Sequence, residues 1–331
     1  MIPLLSGGLA LVLSLLLPFA VRPLLVRLGI MDVPNDRSSH ERPVIRGLGL
    51  AVLLAMAAGY GLAFALLPQG GEGRLALGLV AGAAILSGLL GLGEDLNGVS
   101  VAVRSALLLL IALGVGLGLV WYAGAAWWLV VYAVLFVSGY INVANFMDGL
   151  NGISGFHGVI AGLAFAACGL FAQLPWLVAA GLVLAAGFGG FLPWNLAKPG
   201  AFLGDVGSYL LGGATAATSL FALVSGVPIL ATIGPMIVYF GDVAVTLAKR
   251  VRAGHKWDEP HKEHVYQRLQ QSGMSHVAAS GIAALFTLVA SILGLLSFFV
   301  EPVWWLALLV AGLAVLVAYL RLPRLLGESA A

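Results

Sequence analysis

Asn145, Asp148 and Asn151 stand three residues apart in NFMDGLNG, between two apolar runs. A helical turn would align them on one face, and that face would offer hard oxygen ligands to a magnesium ion shared with substrate phosphates. The competing reading is a turn and a helix cap, which Gly149 and Gly152 would suit. Asp205 sits among Gly204, Gly207 and Ser208 just before another apolar run. It could be a plain N-cap, or its glycines could let a phosphate-bound metal approach the free N–H groups of a helix start; the two roles are compatible. Glu94 and Asp95 end an apolar run, where a helix macrodipole disfavours negative charge, so a positive group is expected beside them. His261 and His264 are followed by Arg268 one turn later in PHKEHVYQRL. The spacing lacks a third zinc ligand and suits a basic face for phosphate. His255 and His276 have no comparable setting and read as surface residues, and His157 reads as a local hydrogen-bonding group.

The elements that carry these residues follow from composition. Of 331 residues, 61% are hydrophobic and only 9% are charged, with a mean hydropathy of +1.06, against roughly 25% charged in soluble domains. The chain reads as an all-α integral membrane protein forming a single polytopic domain over residues 1–331. Eleven apolar runs are long enough to span, near residues 3–28, 47–67, 75–92, 104–121, 126–144, 155–173, 175–192, 207–225, 227–248, 276–299 and 302–321. Arg22 and Arg27 close the first run and no basic residue precedes it, the reverse of a secretory signal, so it should remain as a helix with its N-terminus outside.

Eleven spans from an outside N-terminus put the C-terminus in the cytoplasm and fifteen of the sixteen Lys and Arg residues on that side, with only Arg74 opposite, as cytoplasmic loops require. The cytoplasmic loops then lie near 29–46, 93–103, 145–154, 193–206 and 249–275, and they hold every candidate site residue. Among charged groups the outer connections keep Glu72, Arg74 and Glu301. The net charge of +2 is explained by topology and anionic headgroups rather than by nucleic acid. A single cysteine, Cys168, excludes an intrachain disulfide and a cysteine metal cluster. Scattered glycines, 45 in all, read as close helix packing. A secondary transporter is the alternative of another class, but its mark would be polar residues at the membrane midplane rather than at one face.

Taken in order, DVPNDRSSHERPVIRGLG, the acid pair ED, NVANFMDGLNG, FLGDVGS, the helix end from Asp242 to Arg250 and PHKEHVYQRL resemble the polyprenyl-phosphate N-acetylhexosamine-1-phosphate transferases, collinearly from residue 32 to 268. They are most similar to the branch that starts O-antigen or enterobacterial common antigen synthesis, with the phospho-MurNAc-pentapeptide transferases of peptidoglycan synthesis as the nearer alternative. The resemblance implies a bacterial inner-membrane enzyme. Undecaprenyl phosphate would attack the β-phosphorus of a UDP-N-acetylhexosamine, giving a lipid diphosphate sugar and UMP, with Mg2+ or Mn2+ required and a homodimer left open. Carried over by motif, Asp205 would be the principal metal ligand, with Asp148 a second and Asn145 shaping the pocket beside Asn151. Glu94 and Asp95 would activate the lipid phosphate or position the metal, and His261, His264 and Arg268 would bind phosphates. Arg37 and Arg46 of the first loop would hold the nucleotide. Two departures stand out: Glu94 where relatives carry a first aspartate, and Asn151 where they often carry aspartate.

Overall fold

The computed structural model describes residues 1–32, 44–68, 71–124, 126–197, 200–256 and 261–326. Among the described residues ten helices are long and apolar enough to cross a membrane, and a bent pair, counted as one span, would bring them to eleven. The pair is α1 (Ile2–Leu16) and α2 (Pro18–Arg27), inclined at 42°. Residues 3–28 therefore form a broken element rather than one straight helix. Pro18 has no N–H to donate back into α1 and its ring crowds the preceding turn, so the chain restarts there.

A two-residue antiparallel pair, β1 (Met31–Asp32) with β2 (Val44–Ile45), follows. Then come α3 (Gly49–Leu66), α4 (Glu72–Asn97), α5 (Val101–Ala123), α6 (Trp128–Met147), α7 (Ile153–Phe171), α8 (Pro175–Leu196) and α9 (Gly204–Val224). The next span is again broken. α10 (Ile229–Ile233) and α11 (Ile237–Arg252) flank a 3-10 turn, Gly234–Met236, whose Pro235 interrupts the hydrogen-bond ladder. A short α12 (Val265–Gln271) precedes α13 (His276–Leu296) and α14, Trp305–Leu325.

α9 is the axis of the bundle. Every residue from Val206 to Ala222 is buried, whereas α14 buries only Tyr319 and Pro323. Against α9 lies α4, and at Gly91 the approach is so close that a Cβ would sit 2.1 Å from the Asp205 carbonyl oxygen. Small residues at such crossings let backbones meet without a hydrophobic driving force. Trp121, Trp127 and Trp128, at the ends of α5 and α6 away from Asp148, are exposed, as in the aromatic belts of membrane interfaces. The opposite end of the bundle gathers the C-termini of α4, α6 and α11 and the N-terminus of α9, and with them the candidate chemistry.

Candidate active site

The acid pair at the end of α4 divides its labour. Glu94 faces the following turn, accepting the Val99 N–H at 3.0 Å and pairing with Arg104 at 3.4 Å. Asp95 turns the other way, onto the start of α9, where it accepts the N–H groups of Asp205 (3.1 Å) and Val206 (2.9 Å). Its side chain is 1% exposed, and Arg46 Nε lies 2.9 Å from its Oδ1. The positive partners expected of these acids are thus Arg104 for one, and Arg46 with the positive end of α9 for the other.

Arg46 reaches this point because the β pair is extended by further backbone bonds: the Phe202 N–H donates to Ile45 O and the Leu48 N–H to Phe202 O. From there its Nη2 bonds Asp205 Oδ2 at 2.7 Å. Asp205 lies inside the first turn of α9 rather than capping it, since the N-cap is Leu203. Its other oxygen accepts Asn145 Nδ2 at 2.8 Å, and the same nitrogen is 3.0 Å from Ser208 Oγ.

The single helical face expected of Asn145, Asp148 and Asn151 does not form. α6 ends at Met147 and Asp148 is its C-cap, with φ −86° and ψ 61°. Beyond it the chain turns, and Asn151 Nδ2 donates to the Asn195 carbonyl at 2.7 Å while Asn195 Oδ1 accepts the Gly152 N–H. Asn151 thus ties the turn to the end of α8, while Asn145 and Asp148 remain at the carboxylate cluster. Asp148 accepts the Ser154 hydroxyl at 2.7 Å. Burial pushes its carboxyl up to about 7, Asp205 and Asp95 add to the rise, and Ser154 and Arg46 oppose it.

A buried carboxyl reluctant to ionise beside two others is a place where a hard cation would relieve the repulsion. Among the described residues no three carboxylate, histidine or cysteine groups stand close enough to cage a metal by themselves. That donor set fits magnesium, which takes one or two carboxylates and leaves the rest of its octahedron to substrate phosphates and water.

In the last connecting segment the i, i+3 histidines do not share a helix, because α12 starts at Val265. They meet across the preceding turn, with ring centroids 4.9 Å apart. His264 is 3% exposed and its Nδ1 lies 3.1 Å from Asp242 Oδ1. Burial, and then the charges of His264 and Arg250, push the His261 imidazole down to about 4. Arg250 pairs with Glu263. Arg268 lies on α12, within electrostatic reach of Lys249. Tyr266, on the same helix, donates to the Phe146 carbonyl at 3.0 Å, joining this segment to the Asn145–Asp148 turn. His255 is exposed, His276 half-buried at the start of α13, and His157 buried with Nε2 2.8 Å from the Tyr140 hydroxyl. Arg37 lies outside the described residues.

The roles of Ser154 and Asn195, both within the cytoplasmic loops, escape the sequence reading, because a small polar side chain gives no signal until its partner is known. Asp242 was visible only as an acid deep in an apolar run and as the start of a matching segment.

Fold and site together define a multi-pass membrane protein with carboxylates gathered at one end of a helical bundle. The sequence profile described as "Glycosyl transferase family 4" matches residues 76–223. A decaprenyl-phosphate N-acetylglucosaminephosphotransferase of Mycobacterium tuberculosis is 32% identical, over 91% of this chain and 85% of its own. A probable undecaprenyl-phosphate N-acetylglucosaminyl 1-phosphate transferase of Bacillus subtilis is 25% identical over 81% and 78%. A phospho-N-acetylmuramoyl-pentapeptide-transferase of Desulforudis audaxviator is 31% identical over 68% and 80%. The chain belongs to glycosyl transferase family 4, as one of its polyprenyl-phosphate sugar-1-phosphate transferases.

Proposed function

We propose that the protein transfers an N-acetylhexosamine 1-phosphate from its UDP-sugar to undecaprenyl phosphate, releasing UMP, on the cytoplasmic face of the bacterial inner membrane. The observation that carries this reading is the convergence of Asp95, Asp148, Asp205, Asn145 and Arg46 where α4, α6 and α9 meet. Phosphoryl transfer asks for alignment and charge neutralisation more than covalent help. Asp205 and Asp148 would hold Mg2+ or Mn2+, which supplies neutralisation of the diphosphate. Arg46 places a guanidinium beside the same carboxylates, where it can meet a phosphate oxygen. His264, with Arg268 on the helix that it caps, offers further donors to the donor phosphates.

An oxygen of the lipid phosphate attacks the β-phosphorus, the bond from that phosphorus to the bridging oxygen breaks, and UMP leaves. A phosphomonoester has a second pKa near 6, so the acceptor is already largely a dianion at neutral pH and needs no strong base. Asp95 fits a positioning role, because both its oxygens are engaged by the start of α9 and by Arg46. The face assignment is supported by the Lys and Arg distribution.

Of the relatives above, the N-acetylglucosamine phosphotransferase of M. tuberculosis matches a larger share of this chain than the pentapeptide transferase, which favours an N-acetylhexosamine donor. The first membrane step of O-antigen or a related envelope glycan is the role that we assign.

Purified protein incubated with undecaprenyl or decaprenyl phosphate, magnesium and a panel of UDP-sugars should release UMP only when lipid, metal and one N-acetylhexosamine donor are all present. UMP release with UDP-MurNAc-pentapeptide alone would move the chain to the peptidoglycan branch. Chelator-insensitive solute uptake without UMP would make it a transporter.

A further inference from the structure

Asp242, the one acid of α11, has no exposed surface, and the transfer chemistry above makes no use of it. Four donor groups converge on it. The Tyr319 hydroxyl of α14 bonds Oδ2 at 2.9 Å, and the Thr246 hydroxyl bonds Oδ1 at 3.2 Å. The Val265 N–H reaches both oxygens, at 3.2 and 3.1 Å, and His264 Nδ1 is 3.1 Å from Oδ1. One carboxylate therefore fastens the start of α12 to α11 and α14. The opposite side of α12 is fastened to α6, because Tyr266 donates to Phe146 O. It passes so close to Gly149 that a Cβ there would lie 2.4 Å from the Tyr266 hydroxyl.

We propose that Asp242 is a positioning residue for the reaction, acting through His264. A carboxylate on Nδ1 fixes a histidine's tautomer and ring plane and hands the work to Nε2. With Nδ1 held against Asp242, Nε2 is the nitrogen offered to a substrate phosphate oxygen. When it does so as a donor, Asp242 balances the ring's charge inside the protein. The clamp through Tyr266 sets the distance between that nitrogen and the Asn145–Asp148 turn, so that ring and carboxylates act on one diphosphate. This inference rests on the phosphate-transfer reading above.

The test is a double-mutant cycle on the full-length protein in detergent, read as kcat and KM for the UDP-sugar together with the melting temperature. Asp242→Asn keeps size and one acceptor oxygen, and should lower kcat/KM by roughly 10- to 100-fold while remaining folded. In a His264→Gln background the same change should cost nothing further, within about threefold, because the two residues act as one unit. Multiplicative losses would show that Asp242 acts on the fold alone and would overturn the proposal. His264→Gln supplies an arm that stands even if Asp242→Asn does not fold: glutamine puts a donor near the place of Nε2 but breaks the link to Asp242. It should lose activity at least 10-fold, and near-normal turnover would equally overturn the proposal. A wild-type protein that releases no UMP with any donor would sink the transfer reading and this inference together, whereas an active wild type with independent losses sinks this inference alone.

Discussion

The carboxylate of Asp95 accepts the backbone N–H of Asp205, and the side chains of the same two residues share Arg46. An acid at the C-terminus of one helix thus caps the N-terminus of another, where the dipole favours it. Its neighbour Glu94 points away, to Val99 and Arg104.

That division predicts different outcomes for the two acids. Asp95→Asn keeps one acceptor oxygen for α9 but loses the charge that holds Arg46, so activity should fall by about 10- to 100-fold at every pH from about 7.5 to 9. A base toward the lipid phosphate would behave otherwise, with its loss disappearing above pH 8, where the acceptor is fully ionised. Glu94→Asp shortens the reach to Arg104 by one methylene and should cost no more than several-fold. Rate–pH profiles of both variants decide the matter, and an Asp95→Asn defect that vanishes in alkali would make Asp95 the proton acceptor.

Asp205→Asn tests the metal reading without disturbing the helix start, because Asp205 does not cap α9 and asparagine is of the same size. The variant should express and melt within a few degrees of the wild type. UMP release should fall by orders of magnitude, since a hard cation needs the charge. Near-normal turnover at ordinary magnesium would remove Asp205 from the metal site.

For Asp148 the signs can be worked through. Its carboxyl is raised to about 7 in the metal-free protein, against about 3.9 in an unfolded chain. The folded state therefore keeps a proton that the unfolded state gives up, and stability falls as pH rises from about 4 to about 7. Metal-free protein in chelator should melt at a lower temperature at pH 8 than at pH 6, and magnesium should narrow the difference by favouring the ionised form. At limiting magnesium, activity should climb with pH up to about 7, because proton and cation compete for one carboxylate. Removing the hydroxyl with Ser154→Ala takes away a hydrogen bond that favours ionisation, so the climb should move to higher pH. A profile unmoved in Ser154→Ala would detach it from Asp148.

Much of this architecture is legible in the sequence, because each apolar run must satisfy its own backbone in lipid and so declares itself as a helix. Polar residues gather at one end for the same reason: alternate connections return to the same face. Contacts between acids are less legible. Glu94 and Asp95 are neighbours in the chain, yet successive residues of a helix point about 100° apart, so only the packing of α4 on α9 shows which faces the site. The threefold spacing of Asn145, Asp148 and Asn151 suggested one face, but α6 stops at Met147. Asn151 then finds a carbonyl 44 residues away. The partners of Asp242 are similarly remote, with Tyr319 lying 77 residues along the chain. No periodicity encodes such pairings.

Gly204 gives a last and more demanding test, because it separates the geometry of the carboxylate cluster from its chemistry. Its φ of +77° is one that side-chain-bearing residues rarely adopt, and a Cβ built there would lie 2.5 Å from Asp95 Oδ2 and 2.8 Å from the Gly47 backbone. Gly204→Ala changes no charge and removes no hydrogen-bonding group. It adds about 1–2 kcal/mol of left-handed strain and forces Asp95 off the α9 N–H groups, or α9 away from the β2 turn that carries Arg46. Either movement misplaces Asp205 relative to Asp148, and small misplacements at a site that works by alignment cost on the order of 100-fold in rate. The expected result is protein that still folds in detergent, melts several degrees lower and has lost most of its turnover, with no recovery at higher magnesium. If turnover instead tracked the small loss in stability, the close fit of Gly204 against Asp95 would matter to the fold alone.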